Sequence, residues 1–263
     1  MSSQSVVLRF DAVRAWRNGS HGVCLFGTAL VAFTTLLSGC AGGSDKAQTR
    51  SSVALVTSAL DEYVAAQARV AAESAAAAKV GQSSPFVSVH SGPVKDGAAT
   101  VAVAAFSYSA TGHPVQILSY ATGRWSTVAR LGPDVGPPVQ PSADVFYLAP
   151  GAPVSVADVT GDGRPDFLIM VQAADNTPGI IVSQDGGTWR YIPNSGPFPT
   201  SYILARNPQF RGRKLISDYD NCVPDCATGH NFQIVWSYKR SSGDFWAPNP
   251  PGWTAPPGAV NSQ

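Results

Sequence analysis

Val154-Ser-Val-Ala-Asp158-Val-Thr160-Gly161-Asp162-Gly163-Arg164-Pro165-Asp166-Phe-Leu-Ile-Met-Val171 sets two short apolar runs, Val154 to Val156 and Phe167 to Val171, on either side of a polar turn. Short runs rich in β-branched residues and bounded by Gly, Asp and Pro read as strands joined by a hairpin loop. The same grammar extends in both directions. Thr100 to Tyr108, Val115 to Tyr120, Ile180 to Ser183 and Phe232 to Tyr238 are further β-branched and aromatic runs, each closed by turn residues. No second long helical pattern follows Gly81, so the expected fold class is mainly β.

Three of these runs share a pattern. Pro114-Val-Gln-Ile-Leu-Ser-Tyr120 leads to Gly123-Arg124-Trp125, Gly179-Ile-Ile-Val-Ser183 leads to Gly187-Thr188-Trp189, and Phe232-Gln-Ile-Val-Trp-Ser-Tyr238 leads to Gly243-Asp244-Phe245-Trp246. Strand, glycine turn and aromatic opening the next strand is how neighbouring antiparallel strands of a propeller blade or meander read. Three unevenly spaced units leave two architectures open, a propeller-blade-like or a sandwich-like antiparallel meander.

Before the β region comes one long helix. Residues 51–80 hold no Gly and no Pro, and Ala dominates from Ala65 to Ala78. Val53, Val56, Leu60, Tyr63, Val64, Val70 and Ala71 recur at three- and four-residue steps, giving one apolar stripe that ends near Gly81. The stripe can pack on the β domain, or the helix can stand off as a stalk that meets a partner. The resulting division is 1–39 export signal, 40–50 anchor and tether, 51–80 helix, 81–246 β domain and 247–263 a Pro-rich tail.

The signal assignment rests on order. Arg9, Arg14 and Arg17 precede the uncharged run Val23 to Leu37, which is shorter than the roughly 20 residues a membrane span needs. Leu37-Ser38-Gly39-Cys40 then resembles the bacterial lipoprotein signal, in which a diacylglycerol is attached to the Cys thiol before cleavage ahead of it. The resemblance implies lipidation at Cys40 and a position at the cell membrane, lipid-anchored on the extracytoplasmic face. Removal of residues 1–39 takes three basic residues and one acidic residue (Asp11), leaving fifteen against sixteen. It also leaves Cys222 and Cys226 as the remaining thiols beyond Cys40. In an oxidising compartment they read most simply as a disulfide across Val-Pro-Asp, with a Cys-x3-Cys-x3-His metal reading through His230 as the alternative.

Asp158 to Asp166 resembles the calcium loop of FG-GAP and VCBS-type repeats. In such loops oxygens at alternate positions curl around a hard cation and a Gly makes the sharp turn. The resemblance implies a structural calcium ion held by side chains of Asp158, Thr160, Asp162 and Asp166 and by the Arg164 backbone carbonyl. The other reading of the same residues is a hairpin loop in which the Asp side chains bond their own backbone, with no ion.

Composition narrows the function. With 18 basic against 17 acidic residues, 13% charged and 44% hydrophobic, the chain is neither disordered, coiled-coil nor collagenous, and it lacks the basic field that nucleic acid requires. His90, His113 and His230 are scattered and no nucleophile elbow, P-loop or zinc-protease motif occurs. The expected role is non-catalytic, binding or structural, with an envelope protein or glycan as partner. The alternative is an envelope glycan hydrolase in which Asp218 or Asp220, alternating on one strand face, acts as acid or base. Aromatics from Tyr191 to Trp253 would then form either a sugar platform or core.

Overall fold

The computed structural model describes residues 44–81, 85–132, 145–172, 177–195, 203–204, 206–220 and 231–248. Cys40, Cys222, Cys226, His230 and the tail beyond residue 248 lie outside them. The described fold is mainly β, with one helix, α1 (Ser44–Ala77), preceding antiparallel sheets. The first sheet comprises β1 (Ser88–His90), β2 (Val94–Asp96), β3 (Ala99–Phe106), β4 (Val115–Ala121) and β5 (Arg124–Leu131). The second is built on β6 (Ser155–Ala157), β7 (Asp166–Met170), β8 (Gly179–Asp185) and β9 (Thr188–Tyr191). Two short strands follow, β10 (Asn194–Ser195) and β11 (Ile203–Leu204). The third sheet comprises β12 (Gln209–Arg211), β13 (Lys214–Asp220), β14 (Asn231–Lys239) and β15 (Asp244–Trp246).

Each sheet contains a four-stranded up-and-down meander, β2 to β5, β6 to β9 and β12 to β15. The short strands fill edges: β1 lies on β3, β11 on β8, and β10 runs parallel to β15. The three repeat units fall at equivalent places, as the β4–β5, β8–β9 and β14–β15 hairpins that end each meander.

Alternation along the strands decides the layer order. Val101, Val103 and Ala105 of β3, with Val115 and Ile117, form one core with Phe167, Ile169, Ile180 and Val182 of the second sheet. The intervening Ala102, Ala104 and Phe106, with Leu118 and Trp125, pack against Leu60 and Val64 of α1. On the far side of the second sheet, Leu168 and Ile181 join Leu215, Ile234, Trp236 and Phe245 of the third. The order is therefore helix, first sheet, second sheet, third sheet. In β14 the face opposite Ile234 and Trp236 is open, and Val235 is 46% exposed.

The helix is longer at its start than the sequence suggested. Ser44 to Arg50 was expected as tether, yet it contains no Gly or Pro and several good helix formers, so α1 simply extends through it. Its last residue is Ala77, and the chain turns away at Lys79, ahead of Gly81. Lys79 adopts φ 56°, its N–H bonds the Ala76 carbonyl, and the Val80 N–H bonds Ala75, the pairing of a Schellman cap. Ser52 to Leu55 are exposed and packing begins at Val56, whose carbonyl accepts the Trp125 indole N–H at 3.0 Å. Tyr63 Oη and Thr127 Oγ1 share a second bond of 3.0 Å.

Leu60 is fully buried at this junction. Leu60→Ala is expected to cost about 2–5 kcal/mol in denaturant unfolding, whereas a stalk would lose less than about 1. At the other end of the stack, Asp244 of β15 accepts hydrogen bonds from Ser195 of β10 and from Ser242. Burial pushes its carboxyl up, but these bonds, its own amide and the Lys239 charge outweigh burial and leave it below 3.8. A depressed folded value gives stability that is present above the unfolded value and is lost as pH falls through the folded one. The stability difference between the native chain and Asp244→Asn should therefore be widest near neutral pH and close in acid, measured by thermal melts across pH.

Candidate functional site

The β6–β7 connection places the loop 158–165 where the second sheet meets the third. Its turns are local. Gly161 N–H donates to Asp158 Oδ1 at 2.8 Å and Arg164 N–H donates to Asp162 Oδ1 at 2.8 Å. Gly161 and Gly163 hold φ of 73° and 86°, which side-chain-bearing residues rarely adopt.

Asp166 closes the loop from within. Its side chain is fully buried, and Oδ2 accepts the backbone N–H groups of Val159 (2.7 Å) and Thr160 (2.8 Å). Oδ1 accepts the hydroxyls of Ser183 (2.5 Å) and Thr160 (3.3 Å). Burial pushes the Asp166 carboxyl up and exceeds the pull of the four donors, so it stays above the usual carboxylate value. Asp158 is the opposite case. Burial raises it, but the Arg213 guanidinium, through hydrogen bond and charge, and the Gly161 and Gly163 amides outweigh this and hold it below 3.8.

Two arginines from the third sheet reach this loop. Arg213, in the β12–β13 turn, pairs with Asp158 Oδ2, and Arg240, just past β14, donates to the Gly161 carbonyl at 2.5 Å. Arg164, expected to offer its carbonyl, directs its side chain toward Asp96 of β2 at 3.9 Å. A cavity of about 300 Å³ beside the loop is lined by Thr160, Asp162, Gln184, Asp185, Tyr238 and Arg240. Within it Gln184 Oε1 is buried without a donor, and burial first, then the Asp185 charge, keeps the Tyr238 hydroxyl protonated to higher pH than usual.

These residues do not fit a calcium ion as placed. The Asp166 oxygens are consumed by four internal donors, Asp158 is engaged by a guanidinium, and Arg240 brings positive charge onto the Gly161 carbonyl. Among the described residues, no three His, Cys, Asp or Glu side chains converge to hold an ion. Of the five expected ligand positions, Asp158, Thr160, Asp162 and Asp166 each have a side-chain oxygen engaged in a hydrogen bond within the protein.

The carboxylates of the hydrolase alternative lie elsewhere. Asp218, on β13 opposite Gln233, accepts from Asn207 Nδ2 at 3.5 Å and lines neither described cavity. The Asp220 side chain is outside the described residues. Tyr191 is buried in the core between the first and second sheets, and Trp236 and Phe245 in the core between the second and third, on which Phe210 and Tyr238 also pack. Trp236 Nε1–H donates to Ser217 Oγ at 2.8 Å, and Lys239 Nζ sits 4.0 Å from the Trp246 ring centre. His90 pairs with Asp61 of α1 at 3.4 Å. A second concavity, about 420 Å³, lies between the end of α1 and the sheets and is lined by Val80, Phe86, Tyr108, Tyr147, Pro150 and Gln172.

Sequence reading missed Ser183, Arg213 and Arg240. Ser183 carried a signal, being the one hydroxyl ending the apolar run Ile180 to Val182, in phase with Ile181. The arginines carried none, since each acts across more than fifty residues of chain. No family model matches the chain, and no curated protein or solved structure matches it.

Asp166→Ala would leave two buried amides and two buried hydroxyls without an acceptor, a loss expected to exceed about 3 kcal/mol. Asp158→Ala removes a partly exposed pair and should cost less than about 1 kcal/mol. Urea unfolding of both variants checks this ranking.

Proposed function

We propose that the protein is a lipoprotein anchored through Cys40 at the extracytoplasmic face of the cell membrane, where its β domain has a non-catalytic binding or structural role. The observation that carries this is the order of charge block, uncharged run and Leu37-Ser38-Gly39-Cys40. The start of α1 at Ser44 supports it. Only Ala41 to Gly43 stand between Cys40 and the first residue of α1 in the sequence, and Arg50 and Ser52 to Leu55, ahead of the packing that begins at Val56, are exposed.

A binding role is supported by the aromatic and proline groove at the end of α1, where Tyr147 is 44% exposed, and by the burial of Tyr191, Trp236 and Phe245 in core. The groove offers ring faces and hydroxyls suited to a peptide or sugar of the envelope. A metabolic label carrying an alkyne fatty acid should mark the native chain, and Cys40→Ala should be unlabelled and leave the membrane fraction. An unlabelled native chain, or a Cys40→Ala chain that stays membrane-bound, contradicts the anchor.

A further inference from the structure

We propose that Arg213 and Arg240 take the place of a cation in the Asp158 to Asp166 loop, so that the loop is held closed without a metal and bolts the second sheet to the third. A carboxylate-rich turn of this kind needs positive charge near its exposed oxygens and donors for its inner ones. Both needs are met by the chain itself. The inner carboxylate, Asp166, is satisfied by Val159, Thr160 and Ser183. The outer one, Asp158, receives the Arg213 guanidinium, whose planar fork suits a carboxylate edge better than an ammonium does.

Arg240 supplies the second charge. Its Nη2 donates to the Gly161 carbonyl and lies 3.8 Å from where a Gly161 side chain would begin. It also lines the cavity that Asp162 and Asp185 face. A divalent ion approaching this loop would therefore meet two guanidinium charges, and it would have to displace Arg213 to gain Asp158. Thr160, whose hydroxyl donates to Asp166, offers only a neutral oxygen and adds no charge to offset those guanidinium groups.

The arginines also explain the direction of the bolt. Arg213 and Arg240 come from turns that flank β13 and β14, and both end on the β6–β7 loop. Arg190 of β9 makes the reciprocal contact, pairing with Asp185 and donating to the Gly243 carbonyl at 3.1 Å. The polar rim of the second and third sheets is thus stitched in both directions by guanidinium groups, over the apolar contact of Leu168 and Ile181 with Leu215 and Trp236.

The test uses the full-length chain in detergent, melted in calcium above the roughly 10⁻³ M that weak extracellular modules need and again in chelator. The native chain should melt at the same temperature in both. The double variant Arg213→Gln, Arg240→Gln should melt lower in chelator by about 2–4 °C, the shift that about a fivefold change in the folding equilibrium gives for a chain of this size. A native chain that gains stability with calcium, or a double variant that melts like the native chain in chelator, overturns the proposal.

Discussion

Asp166 places a carboxylate at the start of β7, in the sheet that packs between the two others. β7 and β8 turn Phe167, Ile169, Ile180 and Val182 toward the first sheet and Leu168 and Ile181 toward the third, so the loop entering β7 arrives at a junction closed on both sides. Backbone N–H groups brought there must find acceptors within the protein, because each one left without a partner costs about 1–3 kcal/mol. The Asp166 side chain accepts two of them and two hydroxyls besides. Its position on the third-sheet face of β7, in line with Leu168, also fixes the register of the hairpin. A shift by one residue would move the carboxylate into the core shared with the first sheet and Phe167 out of it.

The outer layers answer to the middle one. The first sheet has a second apolar face, made of Ala102, Ala104, Phe106, Leu118 and Trp125, and α1 covers it. Small residues at 102 and 104 let the helix approach closely, while Phe106 and Trp125 fill the margins. The third sheet needs no such cover, since β14 alternates buried and exposed positions and sends its polar residues outward. A chain that enters through a long helix can in this way stack three meanders without leaving a large apolar face open.

How much of this was legible depended on distance along the chain. The strands with buried faces, β3, β4, β7, β8 and β14, are dense in Val, Ile and Phe and announce themselves. The β12–β13 hairpin, with Gln209, Arg211, Arg213 and Lys214, is too polar to stand out and owes its form to pairing with β14. The helix was legible in type but not in bounds, because a polar start built from good helix formers looks like a spacer until it is seen to continue. In the loop, the glycine turns and the Asp caps two or three residues away could be read directly. What the loop's own residues do not carry is the charge that meets it, which comes from Arg213 and Arg240 in another sheet.

The central claim is that the loop is closed by Asp166 and by charges the protein carries itself. Hydrogen exchange of the Val159 and Thr160 amides in the full chain, in the presence of chelator, tests this most directly, because both amides are bound to Asp166 Oδ2 and to nothing that calcium would supply. Both should exchange as slowly as the core amides of β7 and β8, with calcium leaving them unchanged. Rapid exchange in chelator that slows when calcium is added would contradict the account.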